Sequence, residues 1–286
     1  MKHIRISVTL LFLVLTMSNK GHSQVALLAP VEPYFGQKPP DLTPEVFAPD
    51  IVSSEHHEWD AVFTPDMKEF YFSRKNNTSK KESHFVLKFE NNRWHESEVE
   101  RGVGGSISPD GKTMYYTNKY RERIDGGWSE LKSLGSEYED IDIMALTVSS
   151  KGTYFFDEYR RGGGGLLRYA RLINGKREAP KPLSKELNTG IVNIHPFIAP
   201  DESYILWDSR RDGGYGGSDI YVSFRQEDGS WGAAINLGDK INTSTSQNGG
   251  YVTPDGKYLF FNSPDKSGNG DFYWVDAQII EKLRPK

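Results

Sequence analysis

Five times along the chain, a polar turn-forming stretch runs into a block of large apolar residues. Thr64-Pro65-Asp66 precedes Phe70-Tyr71-Phe72, and Ser108-Pro109-Asp110-Gly111 precedes Met114-Tyr115-Tyr116. Val148-Ser149-Ser150-Lys151-Gly152 precedes Tyr154-Phe155-Phe156, and Ala199-Pro200-Asp201 precedes Ile205-Leu206-Trp207. Thr253-Pro254-Asp255-Gly256-Lys257 precedes Leu259-Phe260-Phe261. Proline presets φ for the turn, aspartate bonds back to its own backbone, and glycine supplies a positive φ. A strand with three consecutive apolar residues is apolar on both faces and has to be covered on both. The third copy lacks Pro and Asp but keeps the length and the aromatic strand. Aligned on Pro65, Pro109, Ser149, Pro200 and Pro254, the copies are 44, 40, 51 and 54 residues apart. Strands and turns repeating at that interval are the pattern of propeller blades.

Around each apolar strand the pattern predicts three more. In the first unit these are His57 to Phe63 before it, then Ser83 to Glu90 and Trp94 to Val99 after it. Asn91-Asn92, Asp125-Gly126-Gly127, Asn174-Gly175 and Asp228-Gly229 supply hairpin turns. Trp94, Trp128 and Trp231 follow that turn in three units. The fifth unit stops without an outer strand of its own. A stretch from Glu45 to Val52 reads as an unpaired strand at the other end of the sequence. The two needs match, so an all-β, five-bladed β-propeller is expected, closed by an N-terminal strand that completes the last blade. Closure removes the two edges an open array would expose. Six blades would require another turn-plus-aromatic unit among the first 50 residues, where none is seen.

Residues 1–23 read as a signal peptide, with Lys2, His3 and Arg5 ahead of an apolar run from Ile6 to Met17 and a cut expected after Ser23. Residues 24–44 read as a Pro-rich, extended lead-in on the surface, and 45–286 as one propeller domain. No cysteine is present, so neither disulfides nor a cysteine-borne lipid anchor is available. A periplasmic or secreted protein is expected, with no transmembrane segment in the mature chain. The formal charge is −4, or −7 without the three leader cations. That balance is unlike a nucleic-acid binder.

Gly217-Ser218-Asp219-Ile220-Tyr221-Val222-Ser223, then Trp231, Asn236-Leu237-Gly238, Ile241-Asn242-Thr243 and Thr253-Pro254-Asp255-Gly256-Lys257 carry a resemblance. Over residues 45–286 the chain resembles the WD40-like, Pro-Asp repeat β-propellers of the TolB type. The resemblance implies a propeller of the bacterial envelope and is poorly specific for function. Relatives of this kind include protein-binding modules and propeller halves of peptidases. A stand-alone propeller is expected, with no peptidoglycan-binding tail and no hydrolase elbow of the Gly-x-Ser-x-Gly kind.

Offsets from the turn place candidate site residues. Five positions before it stand Asp60, Gly104, Met144, His195 and Gly249; seven before it stand Glu58, Gly102, Asp142, Asn193 and Gln247. Both sets are expected to line the channel mouth, with His57 and Arg101 nearby. Loops over the same face bring Arg74, Lys75, Lys119, Arg121, Arg160, Arg161, Arg210, Arg211 and Lys266 as a basic rim. Loops held on a rigid scaffold are the usual place for binding. The rim could equally be solvated surface and the throat acids could hold only water. His56 and His57 point to opposite faces of a strand, so they do not form a metal pair. The throat carboxylates are the type of ligand a calcium ion takes; no other cofactor is implied.

Two function classes follow. One is a non-enzymatic module binding an envelope protein or glycan at the channel-mouth face, since no nucleophile–base–orienter set can be assembled. The other is a glycan-active enzyme, a hydrolase or lyase, using throat carboxylates such as Asp60 and Asp142. Blade two offers glycines where a third acid would help.

Overall fold

The computed structural model describes residues 26–27 and 33–286. The expected leader lies outside them. The fold is a five-bladed β-propeller. Each blade is an antiparallel sheet whose innermost strand lies against a central channel. Blade one is His57–Phe63, Glu69–Lys75, Glu82–Glu90 and Arg93–Val99, with Ala26–Leu27 added at its outer edge. Blade two has short strands, Ser106–Ile107, Thr113–Tyr116 and Lys119–Ile124, and its edge is split into Gly127–Trp128 and Lys132–Ser133. Blade three is Leu146–Val148, Tyr154–Asp157, Leu167–Ala170 and Lys181–Pro182. Blade four is Val192–Ile198, Tyr204–Arg210, Asp219–Phe224 and Ile235–Asn236. Blade five is Asn248–Val252, Tyr258–Pro264 and Gly270–Asp276, and Glu45–Val46 is its fourth strand.

The latch is therefore the expected one. Glu45 pairs with Trp274 and Val46 with Tyr273, and the Phe47 amide donates to the Phe272 carbonyl at 2.8 Å. The strand is shorter than the sequence suggests. Ala48 and Asp50 take positive φ (43° and 64°), so the chain turns back before Val52. Phe47 is fully buried and meets Phe260 and Trp274 with ring centroids 4.6 and 5.2 Å apart. The lead-in also departs from a surface path. Tyr34 and Phe35 are buried between blades five and one. Tyr34 Oη donates to Asp255 Oδ1 at 2.8 Å, and Phe35 packs on Trp94. Two aromatic side chains in a polar segment gain more by closing that seam than by facing water.

The repeated turn explains its own sequence. Thr64, Ser108 and Thr253 donate through their hydroxyls to Asp66, Asp110 and Asp255. Gly111 and Gly256, at φ 72° and 74°, return their amides to Ser108 and Thr253. The third copy keeps the turn without Pro-Asp, because Gly152 still bonds back to Ser149 and Ser149 Oγ finds Glu202 of the next blade at 2.8 Å. The second strands fill the spaces between blades: Phe70, Phe72, Phe155, Phe156, Trp207 and Phe260 are at most 2% exposed. Among the described residues no helix is long and apolar enough to cross a membrane.

Candidate functional site

The channel encloses about 950 Å³ and is lined by all five blades. Its mouth is shaped by a defect that recurs in the innermost strands. Blades one, four and five each carry a bulge there, between Trp59 and Val62, Ile194 and Phe197, and Asn248 and Tyr251. The residue five positions before the turn sits on each bulge with positive φ: Asp60 at 59°, His195 at 51° and Gly249 at 62°. A left-handed conformation suits glycine and costs other residues on the order of 1 kcal/mol or more. Bulges re-aim side chains and gather near binding sites. Here they turn Asp60 and His195 into the lumen.

A ring of side chains stands eight positions after the turn, a set that counting back from the turn does not single out, and three of its members, Asp157, Asp208 and Asn262, hold the inner strands at these bulges. It comprises Ser73, Thr117, Asp157, Asp208 and Asn262. Asp157 and Asp208 are fully buried. Asp157 accepts the amides of Met144 and Ala145 in its own blade (2.8 and 3.2 Å) and of His195 in the next (2.9 Å). Asp208 accepts the Gly249 amide at 3.0 Å and contacts His195 Nδ1 at 2.9 Å. Asn262 donates to the Glu58 carbonyl at 2.6 Å, across the seam to blade one. Applying the same alignment to the second strands would have found this ring.

The electrostatics follow. Burial alone would lower the pKa of His195, but Asp208, Asp157 and Asp60 outweigh it and raise it to about 9. The imidazole is a cation at neutral pH. The Asp60 carboxyl opens to channel water yet is encircled by protein, and the loss of bulk solvent raises its pKa despite His195 and a bond from Trp59. Burial likewise raises Asp157.

Of the residues expected at the mouth, Asp60, Asp142 and His195 line the channel, with Met144 and Gly249. Glu58 and Asn193 do not; both are buried and turned into their own blades. Glu58 accepts from Arg74 Nε at 2.7 Å and from Ser54, and Ser209 Oγ donates to Asn193 at 2.9 Å. Gln247 repeats this with Ser263 at 3.0 Å. The bulge supplies the reason, since an added residue flips the strand's alternation between the two positions. Asp142, in blade three, precedes the strand and stays exposed at the lumen.

The basic residues divide. Arg101 is exposed and donates to Tyr116, a channel-wall residue, at 3.2 Å. Arg160 and Arg210 line a side pocket of about 180 Å³ with Glu158, Asn193, Gly163 and Ile191. Tyr159 borders both this pocket and the channel. Arg160 pairs with Glu158, and Arg210 Nε donates to the Gly217 carbonyl at 2.8 Å. Arg211 is tied inward, stacked on Trp207 and Tyr221 and bonded to the Leu187 carbonyl. Among the described residues no group of three or more His, Asp or Glu is arranged to hold a metal ion.

No protein-family model matches the chain, and no curated protein matches it. Solved structures of similar fold include TolB from Acinetobacter baumannii, 18% identical with a TM-score of 0.44 over 77% of this chain and 55% of that one. An endo-arabinase from Bacteroides thetaiotaomicron is 16% identical with a TM-score of 0.44, over 79% and 95% of the two chains. A periplasmic gluconolactonase from Pseudomonas aeruginosa is 13% identical with a TM-score of 0.41, over 74% and 70%. The chain spans about half the length of the TolB it matches. These are likenesses of fold alone.

Proposed function

We propose that the protein is a non-enzymatic binding propeller that takes a glycan at the mouth of its channel, as an exported component of the cell envelope. The observation that carries this reading is the mouth itself. Asp60, Asp142 and the His195 cation line one lumen beside Trp59, Tyr116 and Tyr159. Carboxylates and an imidazolium accept from and donate to sugar hydroxyls, while flat aromatic rings take the C–H face of the ring. The acids behind them are already used: Glu58 by Arg74, Asp157 and Asp208 by backbone amides and His195. They position the mouth instead of reacting. The leader-like first 23 residues support the exported location.

A second reading is favoured by one observation. Asp60 combines a left-handed backbone with a raised pKa, and strain and perturbed acidity gather at catalytic groups. With Asp142 it would make the carboxylate pair a glycosidase needs. Calorimetric titration against a panel of oligosaccharides, with product analysis on the same samples, separates the two. Binding without product, weakened at least about tenfold by Trp59→Ala and by Asp60→Asn, is the expected result. Turnover abolished by Asp60→Asn and Asp142→Asn would replace it with the enzyme reading. Failure of every glycan to bind would end both.

A further inference from the structure

Polarity is unevenly distributed along the channel. Among the residues lining it, carboxylate and cationic side chains are confined to Asp60, Asp142 and His195, at the end where the bulges lie. Beyond them the wall is Val62, Ile107, Val148, Phe197, Ile198 and Val252. At the far end stand the turn prolines Pro65, Pro109, Pro200 and Pro254. Three hydroxyls within the apolar reach are engaged by the protein. Thr147 Oγ1 donates to the Pro196 carbonyl at 3.0 Å, Thr253 Oγ1 to Asp255 at 2.7 Å, and Ser106 Oγ to the Leu146 carbonyl. Water there has few partners, and an apolar group that displaces weakly held water gains affinity. Five residue steps of largely extended chain run from His195 to Pro200, so the apolar reach is at most about 17 Å deep.

We infer that the channel accepts an amphiphile, with a sugar head at the charged mouth and an unbranched apolar tail in the lumen below. The inference rests on the glycan reading for the head and adds the tail. A head alone would leave the apolar lumen wet, and a tail alone would strip water from the three charged side chains without replacing it. A glycolipid or alkyl glycoside satisfies both halves.

The test is a chain-length series: methyl, butyl, hexyl and octyl glucosides, titrated below their micelle concentrations against the full chain. Affinity should rise about three- to fourfold per methylene while the tail is being buried. Phe197→Asp should flatten that dependence without changing methyl glucoside binding. Ile107→Asn is the second variant should the first fail to fold, and thermal melts report folding in both. Asp60→Asn should lower all four affinities equally and leave the slope intact. An affinity independent of tail length, with the head still bound and sensitive to Asp60, overturns the tail inference and spares the glycan reading. A slope that survives both lumen variants places the tail elsewhere and also overturns it. A normal slope with no response to Asp60→Asn overturns the glycan reading at this mouth.

Discussion

The seam leaving blade three and the seam leaving blade one solve one problem in opposite ways. In both, a backbone amide of the next inner strand has to be capped where that strand opens onto the channel. From blade three, the buried carboxylate of Asp157 reaches across to the amide of His195. From blade one, the residue at the matching position is Ser73, which bonds to His84 in its own blade. The Gly104 amide beyond it finds only Met114 Sδ, at 3.1 Å. At the blade-three seam, with its charged acceptor, His195 is held in a left-handed conformation and aimed at the lumen. At the blade-one seam, which lacks one, Gly104 and Gly105 take the place; a Cβ on Gly105 would lie 2.4 Å from the Tyr115 carbonyl oxygen. A charge-assisted bond offsets strain that a neutral contact to sulfur does not. The chemistry of the mouth is therefore concentrated on blades one, three and four, and blade two contributes wall.

The comparison breaks most easily at Asp208. Asp208→Ala leaves the imidazolium without its buried partner and the Gly249 amide uncapped, at an expected cost of about 3–5 kcal/mol by denaturant unfolding. Ser73→Ala at the matched position should cost about 1 kcal/mol or less. Equal losses would show that the seam leaving blade four and the seam leaving blade one are held alike.

A pH series sharpens the contrast. The folded pKa of His195, about 9, lies above the ordinary imidazole value of about 6.5. Its contribution to stability is thus complete below about pH 6.5 and disappears as pH climbs past 9. A loss on the order of 3 kcal/mol across that window is expected, and Asp208→Asn should shrink it. Nuclear magnetic resonance titration of the imidazole, with its midpoint dropping in Asp208→Asn, checks the cause.

The same contrast recurs on the third strands. Asp219 accepts from the Tyr215 and Gly216 amides and Asn236 Nδ2. Its counterpart in blade five, Asp271, has a buried Oδ1 with no partner. Blade five's outer strand comes from the N-terminal latch, which brings no equivalent of Asn236. Burial, then Glu58 and Asp265, push the Asp271 pKa up to about 6. A carboxyl so raised is a cost above that pH and none below about 4. Asp271→Asn should stabilise the protein at pH 7 by about 1–2 kcal/mol, or a few degrees in Tm, and have no effect near pH 4. Asp219→Asn should destabilise it.

The smallest effect is expected at Asp60. Asp60→Gly relaxes the positive φ and should stabilise the fold by up to about 1 kcal/mol while weakening glycan binding. Thermal melts and titration of one variant read both, and a loss of stability would show that the bulge holds no strain there.

Five blades and their latch were legible in the sequence because each rests on local chemistry: a turn with fixed backbone needs, an aromatic strand beside it, and one strand missing at one end and spare at the other. Counting back from the turn also placed Asp60 and His195 at the lumen. Which neighbours of those residues turn inward was decided by the bulges, and a bulge arises from how two strands pair, a property no single segment encodes. Glu58 and Asn193 were lost to their own blades for that reason, and Arg211 to the rings of Trp207 and Tyr221. The pairing of His195 with Asp208 arises between two strands of blade four, and its bond to Asp157 from the packing of blade three on blade four. Only when blades three and four stand side by side do both carboxylates flank one imidazole, and their charge, outweighing burial, keeps it protonated.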